Sequence, residues 1–454
     1  MLDLVQSLFD LLPDYSPETI GVLMIVAMLF AIFVGFPISF TLIFLGVFFG
    51  AWGFGMKLTI FLMNLQIYGS MMEQTLAAVP LFVFMGFMME QAGLMERLFQ
   101  AVQLMLARVK GSLFIAVLFV SVIFGAATGI VGASVTILGI MAATTMNKSG
   151  YDVRLAAGTI TAGGTLGILI PPSIMLVVMG PVLEIPVTDL FAASIFPGIL
   201  MAVLSLIYSV VRCWLNPALG PALPEEMIPD SRAHVWREFM LGLVPPSILI
   251  AFAMGSILFG WATPTEGAGM GAFGSILLCI GYRKFTLAKT YSALIKTLEI
   301  SVLILFLVAA SNFFGAVFSR LGTPQMITEI LLGFDLGASW IILMILALVF
   351  ILGWPLEWVP IVLIILPILT PVLLELGVDM VWFAILVAVC LQTAWLSPPV
   401  ALSAYFLKGV VPEWDLKDIY FGMMQFMVIQ LIGLMLVFLF PAIATWLPAY
   451  LYSN

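Results

Sequence analysis

Two interruptions in one long apolar run are where this sequence could do chemistry. The run extends from Gly111 to Gly180, and it is broken at Gly125–Ser134 and again at Gly163–Pro172. Glycines, hydroxyls and a Pro-Pro pair stand where an uninterrupted helix would carry leucines. Glycine and proline leave backbone carbonyls without helical partners, and those carbonyls, with hydroxyls, are hard oxygen ligands for a dehydrated cation. Half-helix N-termini at the same breaks favour an anion. A comparable pair of interruptions falls at Gly353-Trp-Pro-Leu-Glu357 and at Gln392–Pro399. The residue types assign one cation site to Thr128, Gly129, Gly132 and Ser134 with Gly163, Gly164 and Thr165. They assign its mate to the second tip at Gly353 with Gln392, Thr393 and Ser397. Gly129, Gly132, Thr165, Pro171, Pro172, Trp354, Glu357, Pro398 and Pro399 then line the place where a substrate is held. The alternative for each residue is structural: glycines permit close helix packing, and hydroxyls bond back to their own backbone.

The elements that must position these residues belong in a bilayer. Of the 454 residues 63% are hydrophobic and 9% charged, against about a quarter charged in soluble domains; mean hydropathy is +1.23. This is an all-α polytopic membrane protein. The net charge of −8 is spread over loops and points to no nucleic-acid partner. Cys213, Cys279 and Cys390 lie in apolar runs without metal-type spacing and read as small core residues. Residues 1–19 carry Asp3, Asp10, Asp14 and Glu18 and no base. That is not a signal peptide; it reads as an amphipathic lead-in on the non-cytoplasmic side.

Arg108 and Lys110 precede the first interrupted segment, and Lys148 and Arg154 follow it. Basic flanks mark the cytoplasmic side, so both ends face the cytoplasm. Roughly 36 residues make two full spans only with very short helices and no turn. The preferred reading is a re-entrant hairpin at about 111–147 with its tip near Thr128–Gly132, followed by a broken helix at about 153–180. Two tightly packed helices with small-residue contacts are the alternative.

The chain then repeats itself at an offset of 227 residues: Pro37 matches Pro264, Gly150 and Asp152 match Gly377 and Asp379, and Pro171-Pro172 matches Pro398-Pro399. The first repeat is expected at 20–211, a cytoplasmic linker at 212–239, and the second repeat at 240–454. The second hairpin falls at about 338–374 and the second broken helix at about 381–407. Asp335, Glu375 and Asp379 flank the second hairpin, so it opens outward while the first opens inward. Five spans and a hairpin per half give odd parity, hence an inverted repeat, the plan of many secondary transporters, with both termini periplasmic. Lys57–Ser70 reads as an interfacial stretch. Asp152, Asp379, Glu266 and Glu73 read as helix-capping groups and His234 as solvated. Glu357, inside an apolar run, assists a cation, carries a proton or caps the turn; residue type leaves all three open.

Two rival classes fit less well. A channel needs a continuous pore or symmetric filter. An intramembrane hydrolase built on Ser134 or Ser173 needs an adjacent base, and His234, the chain's single histidine, stands in a polar loop stretch.

The motifs GASVTILG, AGGTLGILIPPSI, ATPTEGAGMG and QTAWLSPPVALS together resemble the large membrane subunit of tripartite ATP-independent periplasmic (TRAP) transporters. The resemblance spans nearly the whole chain. It implies an elevator-type carrier in the bacterial inner membrane that imports an organic acid on a sodium gradient, without a covalent cofactor. It implies two partners, a small four-helix membrane subunit, not fused here, and a periplasmic substrate-binding protein. By motif, its cation sites fall on the first tip with Gly163–Thr165 and on the second tip with Gln392–Ser397. Sialic-acid-type members tend to carry Asp where this chain has Ser134, and a Met-Glu-Thr pattern where it has GWPLEWVP. The resemblance therefore points away from sialic acid and toward a smaller mono- or dicarboxylate.

Overall fold

The computed structural model describes residues 6, 7, 9, 11–222, 232–334, 336–354, 356, 358–398 and 401–452, with backbone alone at 126–128 and 232. Asp3, Asp10, Asp335, Glu357 and Pro399 lie outside the described residues. All regular structure among the described residues is helical. The first half runs α1 (Pro17–Val34), α2 (Ile38–Phe54), α3 (Met56–Met72), α4 (Ala78–Gln91), α5 (Leu94–Met105), α6 (Ser112–Thr128), α7 (Val131–Lys148), α8 (Val153–Thr165), α9 (Ile174–Leu183) and α10 (Val187–Leu215). The second runs α11 (Arg232–Leu258), α12 (Pro264–Gly281), α13 (Leu287–Arg320), α14 (Thr323–Leu332), α15 (Ala338–Leu352), α16 (Trp358–Glu375), α17 (Met380–Ala394), α18 (Leu402–Val410), α19 (Leu416–Leu439) and α20 (Ala442–Tyr452).

Local chemistry sets many of the boundaries. Ser16 accepts from Thr19 N ahead of Pro17, and Asp152 accepts from Leu155 N at 2.8 Å. Thr263 and Glu266 form a reciprocal capping box around Pro264, so Glu266 caps its helix as its sequence position implies. Both ends of the 212–239 stretch are helical: α10 continues to Leu215 and α11 begins at Arg232. The polar residues there extend the ends of apolar helices instead of forming a loop throughout.

The starts of α12 to α19 fall within four residues of helix starts in the first half when the sequence is shifted by the 227 residues that separate Thr165 from Gln392, whereas α11 begins well ahead of the shifted start of α1. A further pair of counterparts differs in shape. α3 and the stretch Gln74–Gln91 meet at a 55° bend, whereas α13 covers the equivalent length as one 34-residue helix. The bend falls at Glu73, whose Oε1 accepts from Thr75 N. Among the described residues, six helices are long and apolar enough to cross a membrane, or seven if the bent pair is one span. This is fewer than the ten full spans expected from sequence, because several elements, such as the 17-residue α2 and 15-residue α17, are cut short by Gly or Pro breaks.

The chain divides into two compact units that cut across the halves. One comprises Met1–Leu76, Pro181–Ile185 and Ser301–Met380; the other comprises Ala77–Gly180, Pro186–Ile300 and Val381–Asn454. Within each, a helix from one half packs on a helix from the other through a glycine. In the first unit, a Cβ on Gly46 of α2 would stand 2.6 Å from the Phe313 ring of α13. In the second, a Cβ on Gly271 of α12 would stand 2.6 Å from Met85 Sδ of α4, and Cys279 Sγ donates to Met88 O. α12 is the repeat counterpart of α2, and α4 that of the end of α13. The same pairing is therefore made twice with the halves exchanged. Cys213, Cys279 and Cys390 are buried and unbridged.

In the second unit, α6 and α7 bring the chain back to where it started. Gly111 N donates to Gly220 O at 2.8 Å and Asp152 N to Leu219 O at 3.0 Å. Adjacent carbonyls thus hold both ends of the segment. Phe114 and Tyr151 close it with ring centroids 4.9 Å apart. A label-accessible cysteine in place of Lys110 and one in place of Lys148 should therefore react from the same side of the membrane, the cytoplasmic one by their charge. Cysteines at Gly333 and Gly377 should react from the opposite side. Labelling of Lys110→Cys and Lys148→Cys from different sides would exclude a hairpin.

Candidate functional site

The first tip is a two-residue reversal, Gly129-Ile130. α6 ends at Thr128, and Gly129 caps it with φ +59° while its N–H donates to Gly125 O at 3.1 Å. A β-carbon there would be strained and would also stand 3.2 Å from Ile174, at the start of α9. The side chain of Thr128 lies outside the described residues. Gly132 faces the Phe406 ring of α18. Ser134 is buried, next to Val135, which meets the first break.

That break runs from the end of α8 at Thr165 through a short 3-10 turn, Leu166–Ile168, to the buried, cis-linked Pro171-Pro172 and on to α9. Both arms of the hairpin close on it. A Cβ on Gly163 would lie 2.4 Å from Ser121 Oγ on α6, and one on Gly164 would lie 2.3 Å from Val135 on α7. Gly125 and Gly167 meet backbone to backbone: a Cβ on Gly167 would stand 2.7 Å from Gly125 O. Close approach of chain to chain requires glycine at these positions.

The hydroxyls and amides carry more. Thr165 Oγ1 donates to Ala162 O at 2.8 Å and accepts from Gln392 Nε2 at 3.3 Å and from Gln430 Nε2 at 3.2 Å. Thr165 and Gln392 are 227 apart, so the helix ends that lead into the two repeat-related breaks meet at counterpart residues. Sequence reasoning placed Gln392 and Thr393 within the second break. Both instead lie in the last turn of α17, which ends at Ala394, because that apolar helix continues until Trp395 and the following Ser-Pro. Thr393 Oγ1 donates to Cys390 O, and Ser397 Oγ donates to Thr393 O at 2.9 Å and lies 3.1 Å from Met427 Sδ on α19. Such back-bonding is ordinary for hydroxyls in helices. It also spends their protons on carbonyls, which leaves oxygen lone pairs as the groups they can offer. Pro398 is half-buried. Gly353 and Trp354 belong to the other unit. Gly353 caps α15, and the Trp354 indole N–H is buried without a hydrogen-bond partner.

Gln430, absent from the sequence-derived set, is 1% exposed on α19. Its signal was an amide inside the apolar run FMVIQLIGLMLVFL. No charged residue occurs in the sequence from Gly163 to Ile174 or from Cys390 to Ser403, and the described residues form no cluster of His, Cys, Asp or Glu able to hold a metal. The joined breaks make a neutral, oxygen-rich centre in an apolar surrounding, a donor set suited to a monovalent cation and unsuited to zinc or iron.

Thr165→Val leaves two buried amide donors without an acceptor, at about 1–3 kcal/mol each. It should lower the thermal unfolding midpoint clearly, with Thr165→Ser restoring it. Thr393→Val removes a bond within one helix and should cost less than about 1 kcal/mol. Equal midpoints for the two valine variants would contradict the network.

The sequence from residue 23 to 443 matches the family model of the tripartite ATP-independent periplasmic transporter, DctM component. Over 392 residues the chain is 30% identical to the C4-dicarboxylate TRAP transporter large permease protein DctM of Pseudomonas aeruginosa, covering 85% of this chain and 89% of that one. It is 28% identical to the sialic acid TRAP transporter large permease protein SiaM of Vibrio cholerae, covering 92% and 96%. Its fold is similar to that of the Alcanivorax borkumensis YdaH transporter, with a TM-score of 0.61 at 16% identity over 85% of this chain and 88% of that one. The motifs at the two breaks and the match along almost the full length place this chain in the DctM family of TRAP transporter large permeases.

Proposed function

We propose that this chain carries a small organic acid across a bacterial inner membrane on a sodium gradient, receiving it from a periplasmic binding protein. Membership of the family makes it a multi-pass permease subunit for organic acids and not an enzyme. Large permeases of this family work with a small membrane subunit and a periplasmic binding protein. The observation that carries the finer reading is the Thr165–Gln392 hydrogen bond. It joins the breaks of the two halves in one uncharged, oxygen-rich centre. A desolvated sodium ion needs several oxygen neighbours, and Thr165, Gln392, Thr393 and Ser397 with the break carbonyls supply that chemistry.

The return of α6 and α7 to one point supports a re-entrant hairpin that opens to the cytoplasm. The exchange of equivalent helices between the halves supports an inverted repeat, the usual basis of alternating access and of an elevator motion. With no cationic side chain in either break, a carboxylate relies on N–H donors and on the bound cation. The P. aeruginosa relative is named for C4-dicarboxylates and the V. cholerae relative for sialic acid. Ser134 and GWPLEWVP depart from the sialic-acid pattern, so a small mono- or dicarboxylate, such as a 2-oxo or hydroxy acid, is the proposed substrate class.

Vesicles reconstituted with the chain, its small subunit and a loaded binding protein should take up substrate only when sodium is higher outside. The chain alone should give little uptake. Thr393→Val and Ser397→Ala should raise the sodium concentration for half-maximal uptake by roughly three- to tenfold, the loss of one oxygen from an ion. Glu357→Gln should leave sodium dependence in place. Uptake that follows a pH gradient, ignores sodium and is lost in Glu357→Gln alone would replace sodium coupling with a proton carried by Glu357.

A further inference from the structure

Gln430 and Gln392 converge on one hydroxyl, and each leaves its carbonyl oxygen unsatisfied. Their side chains are 1% and 0% exposed, and neither Oε1 has a hydrogen-bond partner. The amide orientation follows from the bond that Thr165 makes to Ala162 O. Thr165 Oγ1 has given its proton to Ala162 O, so a group facing that oxygen must be a donor, and both glutamines turn Nε2 toward it. The amide oxygens are thereby turned away from Thr165, yet held near it, since oxygen and nitrogen share one carbon. An orphaned buried acceptor costs about 1–3 kcal/mol, and here two occur around one residue. What the pair lacks is electropositive; a further acceptor would add to the deficit. No carboxylate lies in either break to balance a divalent ion. The repeat counterpart of Gln430 is Val203, so this amide is an addition to the two-fold pattern and not a product of it.

We infer that Gln392 Oε1 and Gln430 Oε1 are ligands of a monovalent cation, sodium, bound beside Thr165 where the two breaks meet. The site lies wholly within the unit containing Val381–Asn454. It draws one ligand from α17 and one from α19, and Thr165 of α8 orients both. Ion binding there ties three helices of different origin together, and release frees α19 from the breaks. The inference rests on the sodium reading above and adds to it a ligand, Gln430, and a helix, α19.

The test is the thermal unfolding midpoint of the full-length chain purified with its small subunit, in sodium chloride against choline chloride at constant total salt. The midpoint should rise with sodium. Gln430→Leu should move the half-effective sodium concentration up by at least about tenfold, the scale of one lost oxygen on an ion. Gln430→Glu, which adds a charge at the same place, should move it down and lower the midpoint in choline. Should Gln430→Leu fail to fold, Gln430→Glu decides alone. If the folded Gln430 variants stay within about twofold of the parent while Ser397→Ala shifts, sodium binds elsewhere and this site is refuted. If the parent itself shows no response to sodium, the sodium reading falls and takes this site with it.

Discussion

Backbone that leaves a helix inside hydrocarbon must find its hydrogen bonds in protein, and this constraint governs the second unit. The first break is tolerable because two helices wrap it, and they reach it because glycine removes every intervening β-carbon. Gly125 on α6 and Gly167 in the break approach backbone to backbone, while Gly163 and Gly164 receive α6 and α7 on either side. Any one side chain at Gly167 would push the arm away and expose carbonyls. Small residues thus shape the centre. The same packing gathers hydroxyls and amides around it.

How much of this was legible in the sequence depended on range. Caps are written locally: Asp152 and Glu266 each bond a backbone group three residues away. The tip at Gly129 and the Pro171-Pro172 break were legible because glycine and proline act on their own backbone. The repeat was legible as punctuation and recurs in the helix starts. Gln392 was assigned to a break although it closes a helix, since an amide next to a Ser-Pro-Pro signal does not show how far the preceding apolar helix persists. Gln430 escaped notice because its partner, Thr165, is 265 residues away. The exchange of helices between the halves was equally out of reach: Gly46 does not name Phe313, nor Gly271 Met85.

The repeat is also imperfect where it bears on function. α13 is continuous where α3 and the following stretch bend by 55°, and Gln430 stands opposite a valine in the repeat. Two identical halves would present equivalent surfaces and equivalent ligands. Here one unit contains the first hairpin and both breaks, and the other contains the second tip with Trp354. Sequence symmetry sets the elements, and Gln430 adds to the unit that contains both breaks an amide that the repeat does not supply.

On the proposed reading, the neutrality of that centre is the source of coupling. A site lined by fixed positive charge would hold a carboxylate without help and release it reluctantly. A site lined by carboxylates would hold sodium equally well with or without substrate. Neither break contains a charged residue, so each ion alone meets a desolvation cost that amides and hydroxyls offset incompletely. Cation and anion together cancel much of each other's field, and each raises the affinity of the other by the same factor, as linkage requires. Cotransport in this chain then needs no charged side chain as intermediary. It follows from burying two opposite ions in a place that binds neither well by itself.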